Sequence, residues 1–539
     1  MHQILVTYAL PYANGPLHLG HLMGLTQADI WVRHQRQLGK TCYFISGDDA
    51  HGTPVMIKAE QEGLQPEEYV EQILCQHRAT VKKFNILLDN YYTTHSPENL
   101  ALAQQIYLRL QAAGDIESHT IEQAYDPQVE MFLPDRYVTG DCPKCNAAHQ
   151  YGDNCEHCGA TYSPTDLKNP RSTLTGATPE LKTTEHYFFQ LKHYQKMLCE
   201  YINSGHVQAE VAHKLQEWLN NDLIAWDITR DKPYFGINIP GHDDKYFYVW
   251  LDAPVGYMAS FKQFCARAEI DFDSFWQIDS PHQLYHFIGK DIIYFHALFW
   301  PAMLHGADFR TPSGIFTHGF MTINGTKMSK SKGTFITGDQ FAAVIPIDCF
   351  RYYIASKSNG HLDDIDFNFN EFMTKINADL VGKIVNIASR LAKFINKHFA
   401  DELSCEILSP ELLETIECAK AEIVFAYDER NYAKAIRVIM GLADSVNQFI
   451  DQNKPWQLIK QDSQIKEVHN ICSLGLECFR RLILYLKPIL PELASAVEEF
   501  LNIEPLQWKD SNRSIFGGTI QTFKPLLNRI QESDIDKLR

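Results

Sequence analysis

The sequence predicts an α/β protein: a parallel sheet interrupted by a cysteine-bearing insertion and followed by an all-α helical bundle. Three observations predict it. Buried-strand patterns alternate with helical periodicity at the start of the chain and again after residue 280. Four cysteines in two close pairs lie between these halves. From Phe369 onward, apolar residues recur at spacings of three and four.

Ile4 to Leu10 reads as a buried strand, His18 to Gln37 as a helix with Leu22, Leu25, Ala28 and Val32 on one face, and "TCYFIS" (41–46) as the next strand. Strand, helix and strand form a βαβ unit, which implies a parallel sheet. The pattern returns in "LYHFIGKD", "IIYFHALFWPAML" and "GIFTHGF". One sheet is therefore expected from two separated parts, residues 1–114 and 231–320, with 115–230 as an insertion and 321–368 as a following region. Phe372, Ile376, Leu380, Ile384, Ile387, Leu391, Phe394 and Ile395 open a helical bundle over 369–505, and 506–539 forms a last segment.

A chain of 539 residues exceeds a single core. No apolar run approaches the ~20 residues of a bilayer span, and the first strand begins almost at residue 1, so neither a membrane segment nor a signal peptide is expected. The expected location is the cytoplasm. A net charge of −17 argues against a broad phosphate-binding surface and leaves local patches for any nucleic acid.

Ligands of parallel sheets bind beyond the carboxyl ends of the strands. Small and polar residues stand at several such ends here: Pro11 to Gly15, Gly47-Asp48-Asp49, Gly289-Lys290-Asp291 and His318-Gly319. In "ALPYANGPLHLGH" (9–21), Gly15 and Gly20 allow close backbone approach, and His18 and His21 share the first turn of a helix whose free N–H groups suit an anion. A capping histidine beside a core histidine is the alternative. "KMSKSKG" (327–333) alternates lysines with small hydroxyl residues and ends in glycine, a cationic loop.

"CPKCNAAHQYGDNCEHC" sets Cys142, Cys145, Cys155 and Cys158 as C-x2-C-x9-C-x2-C, the spacing of a four-thiolate structural Zn²⁺ site. Two disulfides are disfavoured in a reducing compartment. A catalytic role is disfavoured because four thiolates leave no open position, and His157 is the competing ligand.

Together, HLGH and KMSKS resemble the paired signatures of the class I aminoacyl-tRNA synthetases, with HLGH in place of the commoner HIGH. The motifs "ALPYANGPLHLGH", "DDAHGTP", "FYVWLDAPVGYM" and "HFIGKDIIYFHALFWPAML" narrow the resemblance to the methionyl branch and extend it over essentially the whole chain. It implies a Rossmann-like catalytic domain split by the zinc-knuckle insertion, a KMSKS and stem-contact region, an anticodon-binding bundle, and a last segment returning toward the catalytic domain. Leucyl, isoleucyl and valyl relatives need a large editing insertion, because pockets separate aliphatic side chains by only ~10–200-fold. Residues 115–230 leave too little room for one.

The resemblance also implies residue roles. His18 and His21 bond the ATP phosphates, Lys327 and Lys330 close over the leaving pyrophosphate, Gly20 makes space for adenine, and Gly289 and Asp291 contact the ribose. Methionine lies against Leu10, Tyr12, Trp250, Ala253, Pro254, Tyr257, Ile292, Phe295 and His296, with Asp49 on its ammonium group. Aromatic walls suit a thioether, and a carboxylate suits the amine. Asn386 and Arg390 match anticodon-contacting positions, and Trp456 matches a base-stacking tryptophan. An Asn, an Arg and a Trp are apt for splayed bases. Residues 370–400 carry five basic and two acidic side chains, although a solvated helix face has the same look.

The implied partners are methionine, ATP with Mg²⁺, and tRNA(Met) including the initiator. Nothing after Arg539 resembles the C-terminal dimerisation module some relatives carry, so a monomer is expected. A different HxGH nucleotidyltransferase, which would lack tRNA dependence, and an inactive tRNA-binding relative are the alternatives.

Overall fold

Strand β1 (Ile4–Tyr8) is buried throughout, as expected for a run of β-branched and aromatic residues with neighbours on both sides. In the computed structural model, which describes residues 2–152, 155, 157, 158, 160, 162–327 and 335–539, it is the middle strand of five. The others are β2 (Cys42–Asp48), β3 (Asn90–Thr93), β4 (Gln283–Gly289) and β5 (Gly314–His318), in the order β5-β4-β1-β2-β3. All four pairings are parallel, with Ile4 opposite both Cys42 and Gln283. The chain winds outward through β2 and β3, then restarts at β4 on the other side of β1. The switch point lies between β1 and β4, where a ligand crevice opens at the carboxyl edge.

Between β3 and β4 stands a four-stranded antiparallel layer built chiefly from Ile116–Asp126 against Glu180–Phe189. A three-stranded sheet of Val138–Asp141, Gln150–Tyr151 and Lys168–Ser172 carries the cysteines. Ala124, Leu133, Tyr137, Val138 and Leu167 give this part its own small apolar cluster. Helices Gln195–Asn203 and Ala209–Leu219 instead bury Leu198, Ile202, Val211 and Leu215 in the cluster that covers Leu5 and Leu284 of the main sheet. Residues 115–230 thus hold a separate knuckle and a returning part that shares the main core.

Helix α1 (Leu19–Gln37) follows β1, and His18 is its N-cap, its Nδ1 accepting from Gly20 N at 3.1 Å. Nearly every side of α1 is buried, because its far half enters the helical region. Gln35 and Trp31 bond Asp428, Tyr432 bonds Gln27 O, and Gln37 bonds Leu484 O. Asp29, fully buried, accepts from Arg33, Arg351 and Leu87 N at 2.6–2.7 Å, and Arg351 also donates to the carbonyls of Pro488 and Ile489. These cations hold the Asp29 carboxyl below its usual range against the effect of burial.

The helix expected over Phe372–Phe399 is continuous but not uniform. It runs as α-helix over Phe369–Lys375, as π-helix over Ile376–Val385 and as α-helix again over Asn386–His398. In the middle stretch the buried positions Ile376, Leu380 and Ile384 fall four apart, which the wider π turn keeps on one face. Residues 506–539 wrap the helical region: Trp508 meets Tyr427 and His34, and Arg539 reaches Asn370. Among the described residues no helix is long and apolar enough to cross a membrane.

Asp348, in the first turn of helix Ile347–Lys357, accepts from Leu493 N at 2.7 Å through Oδ2. Its Oδ1 is buried without a partner, and burial pushes the carboxyl from 3.8 up to about 6. A carboxyl raised by folding contributes stability that is complete below its unfolded value and is lost as pH rises through the folded one. Relative to the native chain, Asp348→Asn is therefore expected to gain on the order of 2 kcal/mol between about pH 4 and pH 7.5, read as diverging thermal midpoints.

Candidate active site

A cavity of about 750 Å³ opens at the β1/β4 switch point. The turn after β1 forms its floor. Ala9 N bonds Phe287 O, and Asp49 N bonds Pro11 O, so pairing continues just beyond the strands and fixes the wall. Ten residues to which the resemblance gives a role line it: Leu10, Tyr12, His18, Gly20, His21, Asp49, Trp250, Gly289, Asp291 and Ile292.

The His18 and His21 rings stack at 3.7 Å. Burial, then the neighbouring His18 and His77, pushes His21 well below the usual imidazole range, and its Nδ1 is buried without a partner. The structure also joins the two signatures. Leu19 N bonds Ile336 O, Gly338 N bonds Leu17 O, and the Phe335 ring stands edge-on to His18 at 5.3 Å. Residues just after the KMSKS segment are therefore pinned to the HLGH turn. Lys327 pairs through its backbone with Thr322, and Lys330 lies outside the described residues.

Asp49 is buried, with Oδ1 unpartnered. Desolvation, with Asp252 and Asp48 nearby, pushes its carboxyl well above the usual range. Beside it the Tyr12 hydroxyl donates to His51 O at 2.7 Å.

Ala253, Pro254, Tyr257, Phe295 and His296 form a layer behind this wall. Phe295 stacks on Trp250 at 3.8 Å, and His296 lies edge-on to the same indole at 6.3 Å. His296 Nδ1–H donates to Ile292 O at 3.0 Å, which leaves Nε2 to accept the Tyr257 hydroxyl at 2.7 Å. Burial lowers His296 to about 4, so this pair is neutral. Phe295 and His296 sit in a π-helical turn, Phe295–Phe299.

In the insertion, Cys142, Cys145, Cys155 and Cys158 bring their sulfurs within 4.8 Å of one another. The Cys142–Cys158 and Cys145–Cys155 separations are 3.8 and 3.6 Å, far beyond the ~2.05 Å of a disulfide. They match the ~3.8 Å edge of a tetrahedron with ~2.3 Å metal–sulfur bonds. Cys145 N and Cys158 N each point at the first sulfur of their own pair at 3.4 Å, the geometry that steadies thiolates.

In the helical region, the Arg390 guanidinium lies over the Trp456 ring at 4.8 Å and is paired with Asp451. Asn386 stands one turn before Arg390 on the same helix.

The family of tRNA synthetases class I (M) matches residues 4–392. The chain belongs to this family. It is a class I aminoacyl-tRNA ligase. Among solved structures it is similar to the Mycobacterium tuberculosis methionyl-tRNA synthetase in complex with methionyl-adenylate, at 23% identity and TM-score 0.82, over 98% of this chain and 100% of that one. It is also similar to the apo form of that enzyme, at 22% identity and TM-score 0.75, over 98% and 99%. These likenesses show a shared fold over the full length of both chains.

Several cavity residues of this synthetase carried no signal in the sequence. Arg230 lies over the Tyr248 ring at 4.0 Å, and Arg136 and Tyr234 line the same side. Lys290, marked in the sequence by its place at a strand end, pairs with Asp364 at 2.6 Å and lies over the exposed Phe320 ring at the mouth. Arg136, Arg230 and Tyr234 sit in no motif, and the two arginines come from the insertion. His318 was marked only by its place at a strand end. It stacks parallel to Tyr8 at 6.0 Å, beneath α1.

Gly24 makes that contact possible, since a Cβ there would fall on Tyr8 Oη and His318 Nε2. Gly24→Ala displaces both rings from the cavity wall. Aminoacylation by this variant is expected to drop by roughly 10- to 100-fold, the cost of a reacting group misplaced by about 1 Å, in a steady-state assay on folded protein.

Proposed function

We propose that the chain is a methionyl-tRNA synthetase. It joins methionine to ATP as methionyl-adenylate with release of pyrophosphate, then transfers methionine to the 3′ terminal adenosine of tRNA(Met), the initiator included. The observation that carries this reading is Asp49: a buried carboxyl whose Oδ1 has no partner, beside aromatic and apolar side chains and open to the cavity that holds His18 and His21. Such a group is stabilised by an arriving ammonium, which restores its charge and satisfies its oxygen. Binding an α-amino group there aims the carboxylate of the same amino acid at the phosphate side. Leu10, Tyr12, Trp250 and Ile292, backed by Ala253, Pro254, Tyr257, Phe295 and His296, then receive a flexible thioether. The neutral Tyr257–His296 pair offers polar tips without a charge.

His18, His21 and the free amides of α1 bond the ATP phosphates, with Gly20 beside adenine and Gly289 and Asp291 on the ribose. Lys327 and Lys330 neutralise the pyrophosphate as it leaves. Catalysis is positioning plus charge stabilisation. Mg²⁺ accompanies ATP and offsets phosphate charge. The four cysteine sulfurs fit one structural Zn²⁺, which staples the knuckle and leaves no open ligand position. The working unit is a monomer in the cytoplasm.

Amino-acid-dependent ATP–pyrophosphate exchange without tRNA, run over all twenty amino acids, tests the reading. Exchange is expected with methionine alone, and Asp49→Asn should raise the methionine KM at least about tenfold. Exchange with another amino acid would overturn the pocket, and none at all would overturn the activation step.

On the helical region, Asn386, Arg390 and Trp456 read the anticodon. Trp456→Ala should cut charging of tRNA by orders of magnitude while exchange stays nearly native. Equal losses in both would remove the separation of roles.

A further inference from the structure

Asp48 and Asp49 are neighbours at the end of β2 and point to opposite sides, as strand geometry requires. Asp49 faces the cavity. Asp48 faces helix Pro66–Lys83, whose His77 is fully buried. His77 Nδ1–H donates to Asp48 Oδ1 at 2.7 Å, and Nε2–H donates to the Gly15 carbonyl at 2.8 Å. The Tyr91 hydroxyl from β3 donates to the same Asp48 oxygen. A carbonyl has no proton to offer, and Asp48 Oδ1 already serves as acceptor to Tyr91. With Asp48 as a carboxylate accepting from both Tyr91 and Nδ1–H, both ring nitrogens of His77 carry protons, and the ring is an imidazolium.

The charge is placed where it matters. Gly15 ends the turn that leads into His18 and α1, so the Nε2 bond fixes the height of that turn above the sheet. From α1, His21 is the titratable group near enough to feel the charge. The groups that face His77 are Asp48 from β2, Tyr91 from β3, Gly15 from the turn and His21 from α1. One carboxylate and one carbonyl hold the proton, and one imidazole opposes it. Against burial, the hydrogen bond to Asp48, the charge of that carboxylate and the bond to Gly15 O raise His77 above the usual imidazole range, while His21 is driven to the neutral form.

We propose that His77 is a positioning residue of the phosphate site: a buried imidazolium, outside both signature motifs, that clamps Gly15 and so sets the HLGH turn against its ligand. The cation also stands beneath the place where triphosphate charge collects, preorganised and shielded from water. This role rests on the reading of the His18–His21 turn as the ATP site.

Two measurements test it. With ¹⁵N-histidine protein, one buried ring should keep both nitrogens protonated at pH values where the exposed histidines have become neutral, and that signal should vanish in His77→Gln. In methionine-dependent exchange, His77→Gln should lower kcat/KM for ATP at least about tenfold with the methionine KM changed less than twofold. Where His77→Gln does not fold, Tyr91→Phe removes one donor from Asp48 and should shift the same ring signal and raise the ATP KM two- to fivefold. A neutral His77 ring at pH 7 would overturn the proposal. So would unchanged ATP kinetics, or ATP and methionine parameters falling together with thermal stability. Absence of exchange in the native protein would defeat the activation reading, and the ring signal would then decide His77 on its own.

Discussion

Helix α1 has one end at the site and the other inside the helical bundle, and the rest of the molecule is arranged around that constraint. Nineteen residues at about 1.5 Å each give it a length near 28 Å. Its first turn carries His18, Gly20 and His21. Its last turns are gripped by Asp428 and Leu484 O, and its middle by Tyr432 at Gln27 O, all from the bundle. Asp29 in the middle binds Arg351 and Arg33 with no exposure to water. Removing either partner of such a pair strands a charge in the core, typically at about 3–5 kcal/mol. The pair therefore locks the angle between sheet and bundle more than it adds net stability. A rigid α1 carries that angle to the HLGH turn.

Strand alternation divides the work at the carboxyl end of β2. One register step separates a carboxyl that faces the cavity from one that faces the scaffold. Asp49 faces the cavity and keeps its Oδ1 buried without a partner. Asp48 is held by Tyr91 and His77 and so orders the turn beneath the histidines. Two adjacent acids thus take opposite roles because their surroundings differ, the general way in which burial and hydrogen bonding sort like groups.

Departures from regular helix gather at the same places. The π-turn at Phe295–Phe299 sets Phe295 against Trp250 and His296 against Tyr257. The longer π stretch at Ile376–Val385 ends where Asn386 begins the α-helical turn bearing Arg390. A wider turn costs hydrogen-bond quality and rotates the side chains that follow it, so it persists where surrounding packing over-determines it.

The sequence by itself determined the class of fold, the split of the sheet, the cysteine cluster and the family. Strand and helix periods are local, C-x2-C pairs are local, and HLGH and KMSKS are contiguous. The same locality explains why Leu10, Tyr12, Asp49 and Trp250, each inside a motif, were legible as residues that line the cavity. Tertiary structure alone decided the rest. Arg230 and Arg136 reach the cavity from an insertion, Phe295 and His296 form a second layer behind Trp250, and a π segment inside the Phe372–Phe399 helix leaves no mark in a three-and-four spacing. His77 sits in a helix with no motif, and only folding brings it between Asp48 and Gly15. Periodicity tells which face of an element is buried. What a buried polar group meets there depends on residues distant in the chain, and that was decided by packing.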